Sequence, residues 1–255
     1  MTMDSYSQLA VQAAIEASHK IISVRRGDYN IELKADESPV TDADEAAHTV
    51  IKERLSKSPF PILSEEGRKA PYETRKDWES LWIVDPLDGT RAFIKGRNEF
   101  TVNIALVENG IPVLGVIAIP VEEKVYWASL GKGAFSASFS DLKNPTKLPE
   151  VTDSHSYRVT VSRSHLDKRT QAYVDDLRNE HSDLQLVKSS SALKFCILAD
   201  GLADCYPRFS PCMEWDTAAG QILLTETGKE LIDLGTGKPM VYNRKNLKNG
   251  PFLAR

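Results

Sequence analysis

Between Trp82 and Thr90 the chain reads Trp-Ile-Val-Asp-Pro-Leu-Asp-Gly-Thr, and few segments restrict a fold as strongly. The apolar run Leu81 to Asp85 reads as a strand, and Pro86, which has no N–H to give to a sheet, turns the chain with Leu87. Asp88-Gly89-Thr90 then opens a short helix ending near Gly96. Two carboxylates, Asp85 and Asp88, are thus delivered three residues apart to a tight turn at a strand end. Such a turn suits hard, oxygen-seeking cations, and Gly89 and Thr90 offer helix-start N–H groups to a phosphate. A capped turn explains the same residues without chemistry, because Asp, Pro and Gly are common turn formers. On this motif alone both readings stay open.

The pattern around the turn is layered. Leu9, Ala13, Ala17, Ile21 and Val24 recur at helical spacing and predict an amphipathic helix over 4–24, stopped by Gly27. A second helix follows Pro39, with Ala43, Ala47, Val50, Ile51 and Leu55 as its apolar stripe and Thr41 and Asp44 in capping-box positions. Apolar runs at 61–64, 81–85, 101–107, 113–119 and 124–128 read as strands, and Asn109-Gly110 predicts a hairpin between two of them. The composition turns polar over 141–156. Beyond it, strands at 158–162, 184–187 and near 203–206 alternate with helices from Asp167, from Ser191 and over 217–227. These features predict layered helices and sheets of α/β (α+β) class. Two subdomains are expected, an α+β unit over 1–155 and an α/β unit over 156–255.

Composition narrows the function. With 41% hydrophobic and 27% charged residues, a chain of 255 can bury a sizeable core. No window approaches the roughly 18 apolar residues of a membrane span. Residues 1–10 lack the basic and apolar regions of a signal peptide, so a cytoplasmic location is expected. Cys196, Cys205 and Cys212 show neither CxxC spacing nor a nearby histidine and read as buried free thiols. A net charge of −4 without a long basic block argues against nucleic-acid polymers as partners. It also means that a polyanionic substrate must be held by metal cations or by a few local basic groups.

Two further acidic points stand out. Glu65-Glu66 follows the strand at 61–64, and Asp216 opens the apolar segment after Trp215. A solvated loop accounts for the first, and a helix N-cap worth about 1 kcal/mol accounts for the second. Taken together, Thr41-Asp42-Ala43-Asp44, Glu65-Glu66, Asp85-Pro86-Leu87-Asp88-Gly89-Thr90 and Trp215-Asp216-Thr217-Ala218-Ala219-Gly220 resemble, in order and spacing, the signature of the inositol-monophosphatase superfamily of lithium-sensitive phosphatases. The resemblance covers nearly the whole chain. The segments Phe100 to Leu106, Ser190 to Cys196 and Tyr206-Pro207-Arg208-Phe209 are most similar to the CysQ-type branch of 3′(2′),5′-bisphosphate nucleotidases.

The resemblance implies an αβαβα sandwich of the inositol-monophosphatase/fructose-bisphosphatase type. The activity it implies is Mg²⁺-dependent hydrolysis of the 3′-phosphate of adenosine 3′,5′-bisphosphate, with the 5′-phosphosulfate analogue as a second substrate. Carried onto this sequence, Glu65, Asp85 and the Leu87 carbonyl hold one Mg²⁺. Asp85, Asp88 and Asp216 hold another, with Asp85 bridging, and a third, weaker ion is compatible with the pattern. Asp44 pairs with Thr90 to orient and deprotonate the attacking water. Glu65, Leu87, Asp88, Gly89, Thr90 and Asp216 surround the scissile phosphate, while Ser191, Lys194, Arg208 and His165 contact the rest of the nucleotide. A monomer or homodimer is implied, with peripheral attachment to the cytoplasmic face of the inner membrane left open. Electrostatics agree: clustered carboxylates repel one another at low dielectric and reject a dianion until cations neutralise them.

Simpler roles remain open for single residues. Thr41-x-x-Asp44 is also a capping box, Ser191 can cap a helix, Lys194 can snorkel and His165 can sit at the surface. An inositol-1-phosphate or sugar-phosphate phosphatase would use the same metal centre without a second phosphate clamp, so Ser191, Lys194 and Arg208 discriminate. A catalytically silent nucleotide or metal sensor would not need the water-activating pair Asp44 and Thr90. Gly67 departs from the branch pattern, where an acid often follows Glu66, and this bears on the conformation of that loop.

Overall fold

The computed structural model describes residues 3–34, 37–150, 156–163 and 166–255. The chain opens with α1 (Ser5–Arg25), a hairpin of β1 (Ile31–Leu33) and β2 (Pro39–Thr41), and α2 (Asp42–Leu55). Next come β3 (Ile62–Ser64), α3 (Tyr72–Arg75), β4 (Ser80–Asp88) and α4 (Thr90–Ile94). The strands β5 (Thr101–Glu108), β6 (Ile111–Ile119), β7 (Lys124–Ser129), β8 (Gly133–Ser138) and β9 (Thr146–Lys147) follow. Then β10 (Arg158–Ser162), α5 (Lys168–Glu180), β11 (Gln185–Ser189), α6 (Leu193–Ala199) and β12 (Tyr206–Arg208) alternate. The chain closes with β13 (Cys212–Met213), a 3₁₀ turn (Glu214–Asp216), α7 (Ala218–Glu226), β14 (Leu231–Asp233), β15 (Lys238–Pro239), β16 (Lys248–Asn249) and β17 (Phe252–Ala254).

Strands β3 to β9 form one seven-stranded sheet in sequential order, with β3 parallel to β4 and the other pairs antiparallel. The period of two along each strand sorts its side chains between two cores. Trp82, Val84, Ile104 and Val116 pack on α1 and α2, whereas Leu81, Ile83, Ala105 and Ile117 pack on α6 and α7. Behind α6 and α7 lies the antiparallel sheet β12-β17-β14-β15, joined through the bridge Val159–Cys205 to the parallel pair β10-β11. Val174 of α5 covers this layer with Val159, Val161 and Leu253. The stacking is helix, sheet, helix, sheet, helix, the expected αβαβα sandwich.

The hairpin at Asn109-Gly110 joins β5 to β6, with both residues at positive φ, 49° and 79°. Other boundaries shift for local reasons. The strand expected near 203–206 starts only at Tyr206, because Asp204 is drawn into two hydrogen bonds with the Arg158 backbone, at 2.7 and 2.8 Å. The helix expected from Ser191 starts at Leu193, since Ser191 holds a left-handed φ of 49°. The boundary expected at 155 falls on residues outside those described. Among the described residues no helix is long and apolar enough to cross a membrane.

Candidate active site

The turn that first constrained the fold also builds the site. Pairing of β4 with β5 is regular from Ser80 to Asp85 and shifts between Asp85 and Asp88, so Pro86 and Leu87 form a bulge. The Leu87 N–H donates to Asp85 Oδ1 at 3.0 Å, and the Leu87 carbonyl accepts from the Thr90 hydroxyl at 3.2 Å. Gly89 sits at φ +100°, and a Cβ there would stand 3.0 Å from the Glu99 carbonyl, so only glycine fits. The start of α2 meets this turn. Asp44 Oδ2 accepts from the Thr41 N–H at 2.8 Å and the Thr41 hydroxyl at 2.6 Å, while Oδ1 accepts from the Thr90 hydroxyl at 2.9 Å. Capping and the contact with Thr90 therefore coexist, one on each oxygen. Burial raises the Asp44 pKa above its ordinary value despite these bonds.

Glu65 follows β3, and Asp216 ends the 3₁₀ turn. Asp216 does not cap α7, as its sequence position suggested; it reaches back to the Met213 N–H at 2.8 Å, and Thr217 stands at the cap. One carboxylate oxygen each from Glu65, Asp85 and Asp216 lies within 4.8 Å of the others. Asp88 adjoins this group, its Oδ2 accepting from the Ala192 N–H at 2.6 Å and the Asn103 amide at 3.5 Å. Burial, and then repulsion from the neighbouring carboxylates, drives Asp85 well above its ordinary value and Asp216 up to about 7. Burial raises Asp88 as well, against the opposing charges of Lys194 and Arg208. Carboxylate oxygens gathered this closely, with the Leu87 carbonyl on the same turn, could hold a hard divalent cation, whose charge would relieve the repulsion.

Cations surround the acids. Lys34 bridges Glu65 at 2.8 Å and Glu66 at 2.6 Å; burial opposes its charge, but these bonds outweigh it and raise its pKa. Lys69 donates to the Glu65 carbonyl and lies 5.2 Å from the centre of the Trp215 ring. A Cβ at Gly67 would come 3.3 Å from His48 Cε1, which shows how tightly this loop is packed. Lys194 does not snorkel: it is 2% exposed and donates to the Ser191 carbonyl at 2.7 Å. Burial, and then the nearby Arg208, lowers its pKa to about 8. Among the described residues the Arg208 guanidinium makes only long hydrogen bonds, 3.3–3.4 Å, to the neutral oxygens of Tyr206, Ser210 and Pro211. Ser191 Oγ is buried without a hydrogen-bond partner among the described residues.

Glu65, Asp85, Leu87, Asp88, Gly89, Thr90, Ser191, Lys194, Arg208 and Asp216 all line one cleft of about 840 Å³. Asp44 stands behind Thr90. His165 lies outside the described residues. The sequence reading missed Lys34, Lys69 and Asn103. Only Asn103 carried a signal, a polar residue inside the apolar run of β5, where it is 1% exposed and takes the Thr101 hydroxyl at 3.0 Å.

A profile of the inositol monophosphatase family matches residues 2–251. The chain is 42% identical over 246 residues to the 3′(2′),5′-bisphosphate nucleotidase CysQ of Shigella flexneri, covering 94% of this chain and 96% of that one. Identity to the protein of the same name from Salmonella typhimurium is 43%, with the same coverage. Among solved structures, CysQ from Bacteroides thetaiotaomicron matches with a TM-score of 0.90 at 41% identity, over 98% of this chain and 97% of that one. The extragenic suppressor protein suhB from Bartonella henselae matches with a TM-score of 0.78 at 26% identity, over 98% and 93%.

Proposed function

This chain belongs to the inositol monophosphatase family, and from that premise we propose that it is a 3′(2′),5′-bisphosphate nucleotidase, removing the 3′-phosphate of adenosine 3′,5′-bisphosphate with Mg²⁺ as its metal. The observation that carries the substrate is the pair Lys194 and Arg208, two cations with no acidic hydrogen-bond partner among the described residues, in the cleft that holds the acidic group. A substrate with one phosphate needs no such second clamp. The 5′-phosphosulfate analogue carries an anion at the same end and is a second candidate substrate.

Glu65, Asp85, Asp88, Asp216 and the Leu87 carbonyl would hold the metal, which when bound neutralises the cluster, activates water and stabilises the leaving oxygen. The side chains of Asp44 and Thr90 move the proton. Because the Thr90 hydroxyl donates to Asp44 Oδ1, its lone pairs are left to accept a proton from water as its own proton passes to Asp44. Burial raises the pKa of Asp44 and so makes its carboxylate a stronger base toward that proton. The Gly89 and Thr90 N–H groups would meet the phosphoryl oxygens. Water is the nucleophile in this reading, and Cys212, which lines the cleft, is a poor alternative because burial pushes its thiol up to about 12.

Phosphate release should be measured side by side on adenosine 3′,5′-bisphosphate, inositol-1-phosphate and fructose-1,6-bisphosphate. The nucleotide should be strongly preferred. In Arg208→Ala, kcat/KM for it should fall roughly 10- to 100-fold, the scale of a lost charge-assisted pair, while inositol-1-phosphate barely changes. Equal losses on both would make Arg208 a structural residue and favour a general monophosphatase.

A further inference from the structure

Among the four clustered carboxylates, Asp216 alone comes from the later half of the chain, and the turn that carries it is built on buried charge. Glu214, fully buried, opens that turn. Its carboxylate accepts from the Asn243 N–H at 2.7 Å, the Arg244 N–H at 3.0 Å and Arg244 Nε at 3.1 Å. Asn243, at a left-handed φ of 62°, passes the connection on. Its Oδ1 takes Arg75 Nη1 at 2.9 Å, and its Nδ2 donates to the Arg75 carbonyl at 2.6 Å. Arg75 also donates to the Lys245 carbonyl at 3.0 Å. This guanidinium, 3% exposed, ends α3, in the segment that follows Glu65.

The same loop holds the turn at both of its ends. The Leu247 carbonyl accepts the Glu214 N–H at 3.0 Å, and Asn249 Nδ2 donates to the Met213 carbonyl and to Thr217 Oγ1, both at 2.9 Å. Since Asp216 Oδ2 is tied to the Met213 N–H, the turn and its carboxylate move together. Neither Glu214 nor Arg75 lines the cleft. A buried carboxylate and a buried guanidinium are each costly unless every bond is made, and here those bonds converge on residues 243–245 of the loop that holds the turn carrying Asp216.

We infer that Glu214 and Arg75 are positioning residues: through Asn243 they brace the turn carrying Asp216 against the segment after Glu65, and so set the spacing of the metal-binding acids. The inference rests on the metal-dependent reading above. It is tested by titrating Mg²⁺ into the full-length wild type, Glu214→Gln, Asn243→Gly and Arg75→Lys without substrate, in a calorimeter, at a temperature where circular dichroism shows all four folded. Asn243→Gly is the cleaner variant, because glycine accepts the left-handed backbone and keeps the N–H bond to Glu214 while losing the side chain that engages Arg75.

Mg²⁺ affinity should fall about 10-fold or more in Glu214→Gln and Asn243→Gly, the scale for partners behind metal ligands. Arg75→Lys, which keeps the charge, should fall less. With substrate, the Mg²⁺ needed for half-maximal rate should rise more than kcat drops. Should Glu214→Gln not fold, Asn243→Gly decides alone. Variants that bind Mg²⁺ like wild type, whatever their melting temperature, overturn the inference. A wild type that binds no divalent cation overturns the metal reading itself, and the inference with it.

Discussion

Lys194 keeps its ammonium only below a depressed pKa of about 8, set by burial first and by Arg208 second. Its proposed hold on the uncleaved phosphate should therefore weaken as pH rises through that value. For the bisphosphate, kcat/KM, which reports the enzyme without nucleotide, should bend downward at about pH 8 or below, since Mg²⁺ would offset the Asp88 and Asp216 charges that favour the ammonium. Lys194→Met should lower it and remove that bend, while a single-phosphate substrate should show no bend in the wild type. The folding energy of Lys194 itself is not the cause in that range. A lysine whose folded pKa of about 8 lies below its ordinary 10.5 leaves the unfolded chain holding more protons between the two, so its contribution to stability grows as pH rises there. An alkaline limb that survives Lys194→Met would sink the assignment. In the sequence Lys194 was legible only through its motif. That it is buried rather than snorkelling is set by tertiary packing, as with Tyr206, whose ring centre lies 5.1 Å from the ammonium across a sequence gap no local pattern spans. Lys34 and Lys69 were illegible for the same reason, since a lone lysine in a polar loop looks alike whether or not it closes on a carboxylate.

At the level of elements, the site depends on where regular structure stops. The β4 bulge is joined to the second half of the chain through Glu99. Its carboxylate takes the Ser190 hydroxyl at 2.8 Å and Arg163 Nε at 2.7 Å, and its carbonyl lies against Gly89. A side chain at position 89 would disturb both sides. Gly89→Ala should destabilise the fold by about 1–3 kcal/mol, the cost of a strained backbone position, and weaken Mg²⁺ binding by shifting Asp88. Urea unfolding and a Mg²⁺ titration would check this, and an unchanged midpoint with unchanged affinity would refute it. Elements with strong periodicity or turn chemistry, such as α1, α2 and the β5–β6 hairpin, were legible from sequence alone. Strand β8, Gly-Ala-Phe-Ser-Ala-Ser, was not, because small residues give little hydrophobic contrast. Nor was the 3₁₀ turn at Asp216: Asp followed by Thr suits either a cap or a turn, and packing of the loop at 243–249 selects the turn.

Across the whole molecule, folding gathers carboxylates that the extended chain keeps apart, and the metal-free protein bears the repulsion. Asp216 has a folded pKa of about 7 against an ordinary 3.8, so between those values the folded chain holds more protons than the unfolded one. Its contribution to stability is therefore greatest at the acid end of that window and is lost as pH rises through about 7. Asp85, pushed in the same direction, adds to the trend. A divalent cation binds the deprotonated cluster, so binding must release these protons and becomes more favourable as pH rises. Since a ligand that binds only the folded state stabilises it in proportion to its affinity, the gain in melting temperature on replacing EDTA with Mg²⁺ should be larger at about pH 8 than at about pH 5. Thermal unfolding in both buffers at both pH values measures the four quantities needed, and taking the difference between buffers cancels titrations elsewhere in the chain. Asp216→Asn, which cannot titrate, should flatten the difference and lower the gain from Mg²⁺ at the higher pH. An equal gain at both pH values would mean that the clustered acids are not what the metal neutralises, and an Asp216→Asn variant that keeps the wild-type difference would remove Asp216 from that set.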